Sequence, residues 1–345
     1  MSTLRLVENA PLDARNTFRV PARATLLAEA RDRAALDELL GYEAVRHGPL
    51  LVLGEGSNVL FAGDPPGLVV SVALRTITTV ERHDDGALVR ADAGVGWNDL
   101  VQWTLGHGLE GLENLALIPG NVGAAPIQNI GAYGSEVGEF IETVEAFDRS
   151  SGELCRLDRS ACGFGYRDST FKRDADRWIV IAVELRLPRR HALRLDYAGV
   201  REELAIMGVE TPRAAHVAEA VMRLRTRKLP NPALIGNAGS FFKNPLVAAN
   251  TAAALKAEHP ALPVFPAPDA MLAKLSAAWM IEACGWKGFR DGDAGVSAQH
   301  ALVLVNHGHA TGAQLLDLAR RIAESVRAKF GVALEPEPRM VGATW

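Results

Sequence analysis

The sequence predicts an α+β protein of more than one domain, on three observations. The first half alternates short strand-like runs with glycine turns. The second half mixes strands with amphipathic helices. A chain of 345 residues also exceeds what one hydrophobic core ordinarily organises. Hydrophobic residues make up 48% and charged residues 23%, the balance of a soluble globular chain. A net charge of −4 gives no bulk positive field, so no nucleic-acid partner is expected and an anionic ligand must be gripped by a local pocket. Cys155, Cys162 and Cys284 form neither a CxxC pair nor a zinc spacing, so no metal site is expected, and unpaired thiols suit a cytoplasmic location. "MSTLRLVENAPLDARNTFRV" lacks an apolar signal core, and no run of about 18 apolar residues occurs, so no membrane insertion is expected.

The elements follow in order. "RAALDELLGY" places apolar residues on one face of a short helix that closes on Gly41. "PLLVLGEGSN" reads as a buried strand, Leu50–Leu53, running into a glycine turn, and "LVVSVAL" as a second strand. "TTVERHDDGALVRADAGVG" and "ETVEAFDRSSGELCRL" read as hairpins turning on DDG and SSG. "WNDLVQWTLGHGL" is helical, with Asn98 or Asp99 near its start. After the strand "RWIVIAVELRLP", the stretch "ALRLDYAGVREELAIMG" reads as a loop and "HVAEAVMRLRTRKL" as a helix. Residues 250–284 read as alanine-rich helix broken by an irregular "HPALPVFPAPDA". "HALVLVN" is a strand, and "TGAQLLDLARRIAESVRAKF" is an amphipathic helix with Leu315, Leu318, Ile322 and Val326 on one face. The mixed second domain begins near residue 226.

Two stretches suggest ligand contact through backbone. "LGEGSNVLF" is no dinucleotide fingerprint, because Val59 stands where the third glycine belongs and Gly63-Asp64-Pro65-Pro66 stops any crossover helix. Its glycine turn still suits a pyrophosphate, and suits an ordinary tight turn equally. "LALIPGNVGAAPIQNIGAYGSEVG" is glycine-rich and nearly uncharged: too rich in glycine for a good helix and too apolar for a solvent loop. A flat or phosphorylated ligand can approach such backbone closely, and Gln128, Asn129 and Tyr133 add neutral hydrogen-bonding groups.

"GEGSN", "IPGNVGAAPIQNIGAYG", "CGFGYRDSTFK", "RTRKLPNP", "GNAGSFFKNP", "HALVLVN" and "LEPEPR" occur in the order found in the MurB family, the UDP-N-acetylenolpyruvoylglucosamine reductases. The resemblance covers nearly the whole chain and is to the first type, whose tyrosine loop is matched by "RLDYAGVREEL" with Tyr197. It implies an FAD-binding fold of the PCMH/vanillyl-alcohol-oxidase kind in two subdomains, followed by a C-terminal α+β substrate-binding domain. The implied boundaries are 1–66 (completed by 331–345), 67–225 (with the tyrosine loop at 193–204) and 226–330. It further implies non-covalent FAD, NADPH as reductant, UDP-N-acetylenolpyruvoylglucosamine as substrate, and a cytoplasmic monomer.

Residue by residue, the resemblance gives cofactor contacts to Gly54, Glu55, Gly56, Ser57 and Asn58, and to Ile118, Pro119, Gly120, Gly123, Ala124, Gln128, Asn129, Gly131, Ala132 and Tyr133. Substrate contacts fall to Tyr166, Tyr197, Lys228, Asn244 and His300. Arg167, Ser240 and Glu337 match the catalytic positions. The implied hydride addition to an enolpyruvyl group needs a cation for the growing enolate and a proton for C2. Arg167 suits the first and Ser240 the second, with Glu337 as a further stabiliser. Taken alone, Arg167 reads as an ion pair with Asp168, Ser240 as a turn or cap, and Glu337 as a solvated carboxylate. A related flavin oxidase would share the glycine loops but should lack "GSFFKNP" and "LEPE".

Overall fold

The computed structural model describes residues 3–267 and 269–345. They divide into two compact units: residues 1–10, 24–56 and 65–227 in the first, and residues 11–23, 57–64 and 228–345 in the second.

The first unit is built on two sheets. One has the strand order Arg5–Pro11, Arg23–Ala30, Leu68–Val72, Leu50–Val52, with the last three parallel. The second is antiparallel: Glu153–Asp158, Ile141–Asp148, Trp178–Pro188, Gly86–Asp92, Ile77–Arg82. Both expected hairpins are present and turn where the DDG and SSG triplets stand. The central strand Trp178–Pro188 is an apolar run because it serves two cores. Its start packs Ile179 and Ile181 against Leu36, Leu39 and Val70; further on, Val183, Leu185 and Leu187 join Val89, Val144 and Trp97.

In the second unit, Gly312–Phe330 is the amphipathic helix the sequence predicts. Leu315, Leu318, Ile322, Val326 and Phe330 are buried, each such side chain contributing ~1.5–3 kcal/mol. Thr311 and Gln314 form a capping box at its start, and Gly331 closes it in a left-handed turn. Arg339–Val341 pairs in parallel with Val59–Phe61.

Three local readings are corrected. Within the stretch read as loop, Val200–Ile206 is helical, because Val200 and Leu204 bury together one turn apart and Arg227 pairs with Glu203. Leu272–Leu275, read as helix, is the central strand of a three-stranded sheet between Leu246–Ala248 and Val264–Pro266. Pairing on both edges overrides the helix propensity of alanine, leucine and lysine. The "irregular" stretch therefore contains a short strand; Pro268 within it lies outside the described residues. The helix Trp97–Gly106 has Asn98 and Asp99 at its start, as expected, and its N-cap residue Gly96 offers no side-chain cap.

Asp148 locks the edge hairpin to the central strand. Its carboxylate accepts from Arg177 Nε at 2.9 Å and Nη2 at 2.7 Å, and from the N–H and Oγ of Ser150 at 2.9 and 2.6 Å. The Arg177 guanidinium, reinforced by Ser150, holds the Asp148 pKa far below the ordinary carboxylate value. A depressed folded pKa gives stability that is complete above the unfolded value of about 3.9 and is lost as pH falls through the folded value. Asp148→Asn should lower the urea-unfolding midpoint at pH 7, by ~1–3 kcal/mol in apparent stability. The gap should narrow below about pH 4; one as wide at pH 3 as at pH 7 would contradict the ionised pairing.

Candidate active site

In the first unit, residues 113–138 hold only single helical turns and a two-residue hairpin, so other groups must satisfy their backbone. Trp97, fully buried, donates Nε1–H to the Leu115 carbonyl at 2.9 Å. Asn98 Oδ1 accepts from the Leu117 N–H at 2.8 Å, and Asn121 Nδ2 donates to the Gly94 carbonyl at 3.2 Å. The N–H groups of Val122 and Gly123 reach the Val95 and Ala93 carbonyls, both at 2.9 Å. This lashes residues 115–123 along residues 93–98.

The other glycine stretch meets this track. Glu55 Oε2 accepts from the Gly120 N–H at 3.1 Å, and a Cβ on Gly54 would run into Asn121 Oδ1. Only glycine allows that approach. The Gly54 and Glu55 N–H groups donate to nothing among the described residues, which leaves adjacent backbone donors of the kind a phosphate takes. A bare backbone surface with such donors fits the pyrophosphate of a dinucleotide cofactor.

Asn129, 2% exposed with φ +46°, anchors the next part of the loop. Its Nδ2 donates to Glu136 Oε2 at 2.8 Å and the Gly165 carbonyl at 3.0 Å, while Oδ1 accepts from the Gly138 N–H at 2.8 Å. Its side chain is thus engaged by protein. Gly131 and Ala132 pair with Ser135 and Glu136 in a short hairpin. Ile118 packs partly buried on the core. Tyr133 is buried, which raises its pKa, and meets the half-exposed Tyr197 edge to face at 5.0 Å. Asn114 Nδ2 donates to the Tyr133 carbonyl at 2.9 Å and the Arg194 carbonyl at 3.0 Å, so one amide holds both the glycine loop and the tyrosine loop. Sequence reasoning missed Asn114; the available signal was a lone amide inside the apolar "GLENLAL".

Arg167 stands on a tight turn closed by reciprocal backbone bonds between Gly165 and Asp168 at 3.0 and 3.2 Å. Its φ of +55° is a strained conformation for arginine, costing ~1–2 kcal/mol, held by Lys172 Nζ donating to its carbonyl at 3.0 Å. Its Nη2 donates to the Gly131 carbonyl at 2.7 Å, and its guanidinium lies 5.5 Å from the Tyr166 ring centroid. Asp168 pairs instead with Arg173, so the local ion-pair reading of Arg167 fails. Arg167, Tyr166, Gly131 and Tyr133 are brought together.

In the second unit, Ser240 and Glu337 are neighbours. Ser240 bridges to Val303, Phe241 donates to the Leu302 carbonyl at 2.7 Å, and Glu337 donates its N–H to the Phe241 carbonyl at 2.8 Å. Asn58 Nδ2 reaches the Glu337 carbonyl at 3.3 Å. Asn237, a second residue missed from sequence, holds the serine loop: Nδ2 donates to Pro230 and Ile235 carbonyls at 3.0 and 2.8 Å, and Oδ1 accepts from the Gly239 N–H at 3.0 Å. Asn244 Oδ1 accepts from the Ala277 N–H at 3.0 Å. His300 is pushed toward neutrality by burial first and then by Lys228 and Lys287, so a charged imidazolium is disfavoured beside those lysines.

Asn129→Ala should break three hydrogen bonds, one buried and two part-buried, and put alanine at positive φ, costing ~2–4 kcal/mol. Thermal unfolding should fall by several degrees and bound FAD per chain should drop with it. An unchanged melting temperature would contradict the anchoring role.

Comparisons with known proteins agree with this geometry. Residues 24–158 match the family model of the FAD binding domain, and residues 231–341 that of the UDP-N-acetylenolpyruvoylglucosamine reductase C-terminal domain. The fold is therefore an α+β FAD-binding fold followed, as expected, by a separate C-terminal domain of the reductase family. UDP-N-acetylenolpyruvoylglucosamine reductases of Xanthomonas oryzae pv. oryzae (strain PXO99A) and Xanthomonas euvesicatoria pv. vesicatoria are each 59% identical over 341 residues, 99% of this chain and 97% of theirs. The solved MurB structure from Thermus caldophilus superposes with a TM-score of 0.66 at 26% identity, covering 99% of this chain and 100% of that one. A solved structure alone at that identity would leave the subfamily open, but near-full-length identity to the Xanthomonas enzymes does not: the chain belongs to the UDP-N-acetylenolpyruvoylglucosamine reductase family.

Proposed function

We propose that the chain reduces the enolpyruvyl ether of UDP-N-acetylenolpyruvoylglucosamine to UDP-N-acetylmuramate with NADPH, a reductive step in peptidoglycan precursor synthesis. FAD, when bound, relays hydride from NADPH to C3 of the enolpyruvyl double bond. The adjacent backbone donors of Gly54 and Glu55 and the glycine track at 118–133 are assigned to hold it without a covalent tether. A cytoplasmic location is proposed with this chemistry: the thiols of Cys155, Cys162 and Cys284 are all free.

Hydride arrival at C3 pushes charge toward the substrate carboxylate and leaves C2 basic. Arg167 is assigned to that carboxylate, where a well-placed donor lowers the barrier by ~2.7–4 kcal/mol. Ser240 is assigned to deliver the proton to C2, and Glu337 to help stabilise the enolate. The observation that carries this reading is the backbone bond from Glu337 to Phe241, which sets the glutamate beside the serine. Lys228, His300, Asn244, Tyr166 and Tyr197 are assigned to the nucleotide sugar; Lys228 offers a point charge for its diphosphate. The finer division into segments 1–66 with 331–345, 67–225 and 226–330 belongs to the same proposal.

The Ser240 hydroxyl has no duty while NADPH is oxidised. Ser240→Ala should leave flavin reduction near its normal rate and slow reoxidation by the enolpyruvyl substrate about 10²–10⁴-fold, and Ser240→Cys should retain more activity than alanine. In stopped-flow traces, equal slowing of both half-reactions would reduce Ser240 to a shaping role, and no slowing would remove it from the chemistry.

A further inference from the structure

The last two turns of the helix Ala214–Lys228 carry three arginines in different surroundings. Arg223 donates Nε to Glu219 at 2.7 Å, and Arg227 pairs with Glu203. Arg225 makes no hydrogen bond or ion pair with any described residue. Its position on the helix is also unlike theirs. Ala214, Val217, Ala218, Val221 and Leu224 form the buried stripe, and residue 225 falls on it, one turn beyond Val221 and two beyond Ala218.

A guanidinium on a core-facing stripe with no acid beside it is costly, because burial favours the uncharged form. Burial accordingly pulls the Arg225 pKa down; the Tyr133 phenol acts the other way, and Arg167 adds the repulsion of a like charge. Its electrostatic neighbours are therefore a phenol and a second cation. Arg167 already spends one N–H on the Gly131 carbonyl, whereas every Arg225 N–H is left for a ligand. Two guanidinium groups within electrostatic reach, one of them without an acid partner, call for an anion.

We propose that Arg225 grips the enolpyruvyl carboxylate together with Arg167, so that the protein selects a carboxylated nucleotide sugar over the same nucleotide sugar without one. The assignment rests on the reductase reading above. A diphosphate would satisfy the same charge, so the test must separate the two anions. UDP-N-acetylglucosamine carries the diphosphate and lacks the carboxylate.

The oxidised holoenzyme and its Arg225→Met and Arg225→Lys variants are titrated with the enolpyruvyl substrate and with UDP-N-acetylglucosamine, and thermal unfolding is recorded without ligand. Arg225→Met should weaken the enolpyruvyl substrate by about tenfold or more while leaving UDP-N-acetylglucosamine unchanged. It should unfold no earlier than the wild type, since an uncompensated charge is gone. Arg225→Lys should recover part of the selectivity. Equal weakening of both ligands would give the residue to the diphosphate and overturn the proposal, and unchanged affinity for both would remove Arg225 from binding. A large loss of stability with loss of both ligands would make its role structural. A wild-type enzyme that is not reoxidised by the enolpyruvyl substrate would overturn the reductase reading itself, and this assignment with it.

Discussion

Irregular backbone buried inside a protein has to find hydrogen-bond partners, and in this chain asparagine amides supply them. Asn114, Asn121 and Asn129 do so in the first unit, Asn16, Asn237 and Asn306 in the second, and none is more than 8% exposed. Asn306 shows the pattern in full: Nδ2 donates to the Phe18 and Ala310 carbonyls at 2.9 and 3.3 Å, and Oδ1 accepts from the Gly308 and Ala310 N–H groups at 2.9 and 3.0 Å. Asn16 likewise spans the turn from Leu12 to Val20. An amide suits the task because it donates and accepts at once and carries no charge. Leaving one such backbone group unpaired would cost ~1–3 kcal/mol.

The consequence is a set of loops that are neither helix nor sheet and yet are fixed. That is what a cofactor bound through backbone requires, since its donors must be in place before it arrives. The glycine track 115–123 is tied to residues 93–98, and Asn129 ties its continuation to the turn bearing Arg167. Ser169 adds a further tie, donating Oγ to the Ile127 carbonyl at 2.5 Å. The strained backbone at Arg167 persists because these neighbours over-determine it.

Much of this was legible in the residues. The hairpins, the long amphipathic helix and the two glycine stretches follow from periodicity and turn chemistry, which are local. What depended on distant partners was not legible. Leu272–Leu275 becomes a strand only because two other strands flank it, and Val200–Ile206 is too short for its apolar spacing to register. Asn129 reads as a hydrogen-bonding group of a glycine loop, and nothing local reveals that its side chain pairs with Glu136, Gly138 and Gly165. Arg225 left a faint trace, an arginine on the apolar stripe of its helix, hidden by the arginines two residues to either side.

The central claim is that this set of fixed loops serves a two-step reduction. The most direct test is the anaerobic visible spectrum of the purified wild-type protein. NADPH should bleach the flavin bands, and stoichiometric UDP-N-acetylenolpyruvoylglucosamine should restore them, with one UDP-N-acetylmuramate formed per flavin reoxidised. Bands that stay bleached after the enolpyruvyl substrate is added, or that NADPH never bleaches, would contradict the account.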